Sequence, residues 1–173
     1  MPNQSQFNID RSRPGRWTAT FTNPPINMFN FATIDELETL MTDLESDPSV
    51  KVMVFQSANP DFFCAHLDLS KTADLRRSHF SPCFSFVERL AFSPVVSIAK
   101  IRGRTRGIDN EFVLACDMRL ASRQKAQFGN FEVGAGLVPG GGALEWLPRL
   151  VGRARALEIA LGADDFDADV AER

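Results

Sequence analysis

The stretch that decides the fold is Arg102-Gly-Arg-Thr-Arg-Gly-Ile-Asp-Asn-Glu111, which runs directly into Phe112-Val-Leu-Ala-Cys-Asp117. The first run is a sharp polar loop after a strand-like segment, and the second is a short apolar run that predicts a helix. Such a loop presents free backbone N–H groups to an anionic ligand atom. A second loop of this kind lies at Pro60-Asp-Phe-Phe-Cys-Ala-His-Leu-Asp-Leu69. Two such loops directed at one point would form an oxyanion hole.

Outside these loops, segments with strand and helix patterns alternate along the chain. Apolar and polar residues alternate at Phe7–Asp10 and Trp17–Thr22, which predicts two strands joined by a Pro14-Gly15 turn. Further strands are predicted at 50–55, where we expect coverage on both faces, and at 94–99 and 118–121. Helices are predicted at 84–92, 110–117, 143–150 and 154–161. This alternation favours an α/β fold with a largely parallel sheet.

The first helix is predicted from its start signal. Thr33 and Glu36 have the spacing of a capping box, which makes Thr33 the predicted N-cap. The apolar residues behind it fall on one helical face, and Asp47-Pro48 stops the helix. The face consists of Ile34, Leu37, Leu40, Met41 and Leu44.

Composition limits the classes of protein to which the chain can belong. Its 173 residues fit one domain, and its net charge of −3 gives no reason to expect nucleic acid or a membrane as partner. No apolar run has the length of a membrane span. The three cysteines, Cys64, Cys83 and Cys116, are widely spaced and suggest neither a disulfide framework nor a zinc site. A cytoplasmic location and no metal are therefore expected.

With these segments in place, the chain resembles the crotonase (enoyl-CoA hydratase/isomerase) superfamily. The likeness is carried by several segments in the family's order and at family-like spacing, and it extends from about Phe7 to the end. They are Asp47–Phe55, Phe63–Leu69, Arg102–Asp117, Ala126–Glu132, Gly136–Gly142 and Leu147–Glu158.

The resemblance implies a crotonase-like spiral of ββα units in a single domain over residues 1–173. It also implies a CoA-thioester pocket and homotrimers or hexamers. Relatives continue past Arg173 into helices that help cover the pocket, so the C-terminal helical region is expected to be truncated here. No cofactor is implied, because coenzyme A enters as part of the acyl-CoA or enoyl-CoA substrate.

The family's shared chemistry is stabilisation of a thioester enolate by two backbone N–H groups. The matching positions are Leu67 and Ile108. In the hydratases of the family two glutamates act on a water, and these match Glu111 and Glu132. One would activate the water while the other handles the proton at the α-carbon. The resemblance therefore implies hydration of an enoyl-CoA.

Substrate-binding positions follow from the same segments, and some depart from the family pattern. They are Ala65, His66, Asp68, Gly107, Pro139 and Gly140. His66 and Ile108 stand where the family has glycine, and histidine is among the better residues for a positive φ. The bulk of His66, Ile108 and Asp109 is expected to narrow or reshape the acyl pocket. Asp68 either orients the first loop or acts as a cap.

Two alternatives remain open. One is another enolate reaction of the family, such as isomerisation, decarboxylation or dehalogenation. The other is a catalytically silent scaffold with the same fold, which the substituted loops would favour.

Overall fold

The computed structural model describes residues 5–70 and 85–173. The nine strands of the described residues are short, and eight of them come as four consecutive pairs, with a helix after each pair. In chain order they are β1 (Phe7–Arg13), β2 (Arg16–Phe21), β3 (Val52–Ser57), β4 (Phe62–Cys64), β5 (Val96–Ile101), β6 (Arg104–Arg106), β7 (Met118–Ala121), β8 (Gln127–Gly129) and β9 (Phe166–Asp167).

Five helices accompany the strands in residues 5–70 and 85–173. They are α1 (Phe31–Ser46), α2 (85–91), α3 (Ile108–Ala115), α4 (Ala143–Gly162) and α5 (Ala168–Ala171), with a 3₁₀ turn at Val133–Ala135. Phe84, which was predicted to begin the second helix, lies outside the described residues, as does Cys83. Among the described residues, no helix is both long and apolar enough to cross a bilayer.

The strands form two sheets. The larger has the order β1-β2-β3-β5-β7, and the smaller has the order β4-β6-β8-β9. Only β1–β2 and β8–β9 are antiparallel among the described pairs, which confirms a largely parallel α/β fold. The predicted hairpin of β1 and β2 is also confirmed, with Phe7 opposite Phe21.

The predicted N-cap of α1 was wrong. Asn30 is the N-cap, and its side chain accepts a hydrogen bond from Thr33 N–H at 3.1 Å. Thr33 Oγ1 in turn accepts from Asn30 N–H at 3.0 Å, so Thr33 is the third helical residue of the box. Glu36 instead accepts backbone N–H groups of Gln6 and Phe7, and so ties β1 to the helix. The apolar face and the stop at Asp47 are confirmed.

The core lies between the larger sheet and the helices. Phe112 of α3 is its centre: Phe55 of β3 meets it edge-on at 4.9 Å between ring centroids, and Phe86 of α2 lies at 5.3 Å. The expectation that β3 is covered on both faces was wrong. Met53, Phe55 and Ser57 are buried, whereas the alternate residues are half-buried, because only one face of the strand meets the helices.

Two glycines mark points where the backbone is constrained. Gly103 precedes β6, and a Cβ at this position would lie 2.2 Å from the carbonyl carbon of Asp61, so no side chain fits there. The two helices predicted at 143–150 and 154–161 are confirmed as the two parts of α4, which the non-helical backbone of Gly152 (φ 74°) separates. α4 packs against α3.

Candidate active site

Three parallel strands of the smaller sheet end at one edge. β4 pairs with β6, and β6 pairs with β8, so the residues that leave these strands emerge side by side. Leu67 follows β4, Ile108 follows β6, and Glu132 follows β8. Adjacent strands lie about 5 Å apart, and ligands of parallel sheets bind beyond the carboxyl ends of the strands. The topology therefore brings the three predicted positions to one edge.

The loop after β4 is fixed by its own backbone. Phe29 N–H donates to the carbonyl of His66 at 2.9 Å, and Asp68 N–H donates to the carbonyl of Phe29 at 2.7 Å. Leu67 lies between these two bonds in a parallel bridge with Phe29. Its own N–H makes no hydrogen bond within residues 5–70 and 85–173. This N–H is a donor left available for a ligand.

The loop after β6 ends in the start of α3, two residues earlier than predicted. Gly107 is the N-cap with φ 59°, a left-handed angle that favours glycine. Ile108 is the first helical residue, so its N–H has no partner inside the helix. The positive end of the helix dipole lies at the same place. The geometry of this donor suits a negatively charged oxygen.

His66 does not need the left-handed conformation that its family position suggested. Among the described residues, Asn27 and Ala163 are the non-glycine residues with positive φ. The His66 ring is half-buried, its Nδ1 lies 2.7 Å from the carbonyl oxygen of Leu67, and it meets Phe131 edge-on at 6.1 Å. The loop is therefore set by its pairing with Phe29 and not by a glycine.

Glu111 and Glu132 are brought together, as predicted. Their exposed fractions are 1% and 9%, and one carboxyl can hydrogen-bond the other when one of them is protonated. Gly107 makes room for them, because a Cβ there would lie 2.9 Å from Glu132 Oε1. A Cβ at Gly141 would lie 3.2 Å from the Glu111 carboxyl carbon. The two glycines flank the pair of carboxyl groups.

The two carboxyl groups have different hydrogen-bond partners. Glu111 Oε2 accepts the N–H groups of Gly141 and of Ala143, the latter at 2.9 Å, at the start of α4. Glu132 Oε2 is buried and accepts no hydrogen bond. Burial raises the pKa of Glu111 to about 7, although these N–H groups act in the opposite direction, and burial also raises the pKa of Glu132. Like charges in contact disfavour double ionisation, so the pair holds a proton near neutral pH.

A buried amide pair joins the two segments that carry the glutamates. Asn110 Nδ2 donates to Asn130 Oδ1 at 2.7 Å, and the two residues are 2% and 0% exposed. Asn110 precedes Glu111 on α3, and Asn130 lies two residues before Glu132. The contact therefore fixes the end of β8 relative to α3. The sequence prediction missed this pair, as well as the two N–H donors to Glu111.

The remaining predicted positions lie around this centre with different exposure. Ala65 and Pro139 are buried, whereas Gly140 is exposed. Asp68 accepts hydrogen bonds from the N–H and hydroxyl of Ser70, so it orients the segment after the loop. Asp109 is 1% exposed and accepts from Thr105 Oγ1 at 3.3 Å in the interior. The side chain is therefore directed into the interior, and the effect of its bulk on the acyl pocket stays a prediction.

Comparison with known proteins adds independent information. The family model described as enoyl-CoA hydratase/isomerase matches residues 17–173. The chain belongs to the enoyl-CoA hydratase/isomerase family. The predicted crotonase superfamily is thereby confirmed.

Individual members of the family show the extent of the likeness. The chain is 35% identical over 133 residues to the mitochondrial methylglutaconyl-CoA hydratase of Rattus norvegicus, covering 75% of this chain and 42% of that protein. A provisionally assigned enoyl-CoA hydratase of Streptomyces avermitilis is 38% identical and superposes with a TM-score of 0.89, covering 100% of this chain and 64% of that one. Another, from Thermobifida fusca in complex with CoA, is 26% identical with a TM-score of 0.86, covering 97% and 68%.

These superpositions confirm the predicted fold of the family. The chain spans less than half of the rat enzyme and 64% of the Streptomyces chain. Within the described residues, no group of three or more His, Cys, Asp or Glu side chains is arranged to hold a metal ion.

Proposed function

We propose that this chain adds water across the double bond of an enoyl-CoA thioester. The observation that carries the proposal is the buried contact between Glu111 and Glu132, beside two backbone N–H groups that are free to bind an oxyanion. A carboxyl pair that holds one proton supplies both a base and an acid, which is what the addition of water requires. Each role contributes about 10²–10⁴ in rate.

The hydrogen bonds suggest how the pair divides the work. The two N–H groups at the start of α4 stabilise negative charge on Glu111, so Glu111 takes a proton from the water as its oxygen bonds to the β-carbon. Electrons of the double bond move onto the thioester oxygen, which Leu67 and Ile108 N–H hold as an enolate. Glu132 then gives its proton to the α-carbon. Contact between the carboxyls lets the proton gained by Glu111 return to Glu132.

The substrate surroundings are proposed from the same edge. Ala65, His66, Asp68, Gly107, Pro139 and Gly140 would line the path of the acyl-CoA. The proposed reaction requires no metal or redox cofactor, and coenzyme A enters only as part of the substrate. We also propose a cytoplasmic location, on the sparse and widely spaced cysteines of the sequence.

Assembly into trimers or hexamers is a further part of the proposal. Large apolar residues of α4 are exposed, and such patches mark surfaces that are covered in an assembly. They are Leu144, Leu150, Val151, Leu157 and Leu161. Light scattering of the purified chain measures the assembly mass, and a monomer would remove this part of the proposal.

Double-bond isomerisation is the second candidate, because a proton shared by two carboxyls can leave one carbon and be delivered to another. Mass spectrometry of a pooled acyl-CoA and enoyl-CoA panel, with chromatographic separation of isomers, distinguishes the candidates. The gain of one water by an enoyl-CoA supports hydration, and a new isomer of unchanged mass supports isomerisation. Loss of carbon dioxide or halide would indicate the other enolate reactions, and an unchanged panel would favour a silent scaffold.

A further inference from the structure

Asp109 is a buried acid that the proposed mechanism does not use. Its side chain is 1% exposed, and its Oδ1 has no hydrogen-bond partner, whereas Oδ2 accepts from Thr105 Oγ1 at 3.3 Å. The Cys64 thiol of β4 lies against the same carboxyl group. A buried carboxylate with one unpaired oxygen is costly, so this carboxyl group favours its neutral form.

The position of Asp109 places this group next to the proposed oxyanion donor. Asp109 follows Ile108 directly, and consecutive Cα atoms are about 3.8 Å apart. The carboxyl group therefore lies within roughly 6 Å of the backbone that carries the Ile108 N–H. Both lie in the first turn of α3, where the helix dipole attracts one negative charge. An ionised Asp109 and a bound enolate oxygen would compete for this positive end.

The groups around Asp109 offer no compensating cation. From β4 it meets the Cys64 thiol, from β6 it meets the Thr105 hydroxyl, and its charge also acts on the Cys116 thiol at the C-cap of α3. In the described part of the chain, no ion pair or hydrogen bond joins it to a charged side chain. The charged residues of α4, which packs on α3, are exposed: Glu145, Arg149, Arg153, Arg155 and Glu158.

We propose that Asp109 sets the pH range of the oxyanion site by opposing the enolate once it ionises, and the proposal rests on the function proposed above. When Asp109 is protonated, the positive end of the α3 dipole interacts with the substrate oxygen alone. In its charged form Asp109 repels that oxygen through the protein interior. Burial raises the pKa of Asp109 to about 7, which places the change near neutrality.

The test compares Asp109→Asn with wild type. The quantity to compare is the ratio of kcat/KM at about pH 8.5 to kcat/KM at about pH 6. We expect this ratio to be about tenfold higher in the variant than in wild type, because asparagine cannot ionise. The Glu111–Glu132 pair titrates in both proteins, so its effect cancels in this comparison. Asp117→Asn is the matched control, since it removes an acid that follows α3 and accepts from Ser97. Its ratio should equal that of wild type.

Thermal unfolding gives a readout that needs no activity. Asp109 ionises at a lower pH in the unfolded chain than in the folded chain. Wild type should therefore lose stability relative to Asp109→Asn as pH rises from about 4 through about 7. A contrary outcome would be a Tm difference between wild type and Asp109→Asn that grows with pH while their kcat/KM ratios stay equal. In that case Asp109 titrates without affecting the oxyanion site, and the proposal is overturned. Equal Tm differences at all pH values would overturn it too. A wild type inactive on every enoyl-CoA would instead refute the proposed function.

Discussion

The two sheets bury different chemistry to the same depth. In the larger sheet, β3 and β5 turn Met53, Phe55, Ala99 and Ile101 inward, each at most 1% exposed. Beyond the ends of β6 and β8 in the smaller sheet, the equally buried side chains are polar: Asp109, Asn110, Glu111 and Asn130. Burial of the first set stabilises the fold, whereas burial of the second set costs free energy unless each group is paired.

The larger sheet therefore contributes stability, and the end of the smaller sheet carries the groups proposed for chemistry. Among the described residues, three of the five buried side-chain atoms without a hydrogen-bond partner lie beyond the ends of β6 and β8: Asp109 Oδ1, Asn130 Nδ2 and Glu132 Oε2. The other two, Arg16 Nε and Glu38 Oε1, lie on β2 and α1. Strained or unsatisfied groups persist where the surrounding structure holds them for a function. Substitutions in the larger sheet should therefore act on stability, and those at the end of the smaller sheet should act on turnover.

The largest expected effect on turnover is that of Glu111→Gln. We expect kcat to fall by about 10²–10⁴, because glutamine keeps the shape of the side chain but cannot take a proton. Steady-state kinetics with an enoyl-CoA measure the loss, and circular dichroism checks the fold. Glu145→Gln, an exposed acid on α4, is the control and should keep wild-type turnover. Retention of turnover in Glu111→Gln would remove Glu111 from the mechanism.

Met53→Ala should lower stability and leave the chemistry unchanged. We expect a loss of about 2–5 kcal/mol in the free energy of unfolding, since the side chain is fully buried and leaves a cavity. Urea denaturation measures it, and the pH dependence of turnover should stay as in wild type. Val52→Ala changes the half-buried neighbour on the other face and should cost less. Equal losses in the two variants would contradict the one-sided burial of β3.

Glu111→Gln should also change the pH dependence of stability. Burial raises the pKa of Glu111 from its ordinary value of 4.5 to about 7 in the folded chain, so wild type loses stability as pH rises between these values. Above this window the variant should be more stable than wild type, and below it the two should be alike. Urea denaturation at several pH values tests this. A constant difference across the window would show that Glu111 is ionised throughout.

Gly107→Ala should affect turnover through geometry alone. The new Cβ would lie 2.9 Å from Glu132 Oε1 and 3.0 Å from Phe131, and the residue has a left-handed φ. Displacement of Glu132 by a fraction of an ångström is expected to lower kcat by about 10²-fold. Gly162→Ala is the control, because a Cβ there meets nothing within 4 Å. Normal kcat in Gly107→Ala would mean that Glu132 needs no fixed position.

Periodicity predicted much of the larger sheet, and the resemblance to a family predicted the polar residues of the smaller one. The alternation at Trp17–Thr22 and the stop at Asp47 are local signals, and both predictions are confirmed. The N-cap was misassigned to Thr33 because Asn30 carries the same type of signal three residues earlier. Neither the Asn110–Asn130 bond nor the N–H donors of Gly141 and Ala143 could be predicted, because they join residues twenty or more positions apart.

The most direct test of the central claim is to incubate the chain with crotonyl-CoA in water labelled with heavy oxygen and deuterium. The account predicts a 3-hydroxyacyl-CoA with one solvent oxygen on the β-carbon and one solvent deuterium on the α-carbon, and neither label with Glu111→Gln. Deuterium at carbon without solvent oxygen, or unlabelled crotonyl-CoA, would contradict the claim that Glu111 and Glu132 together add water.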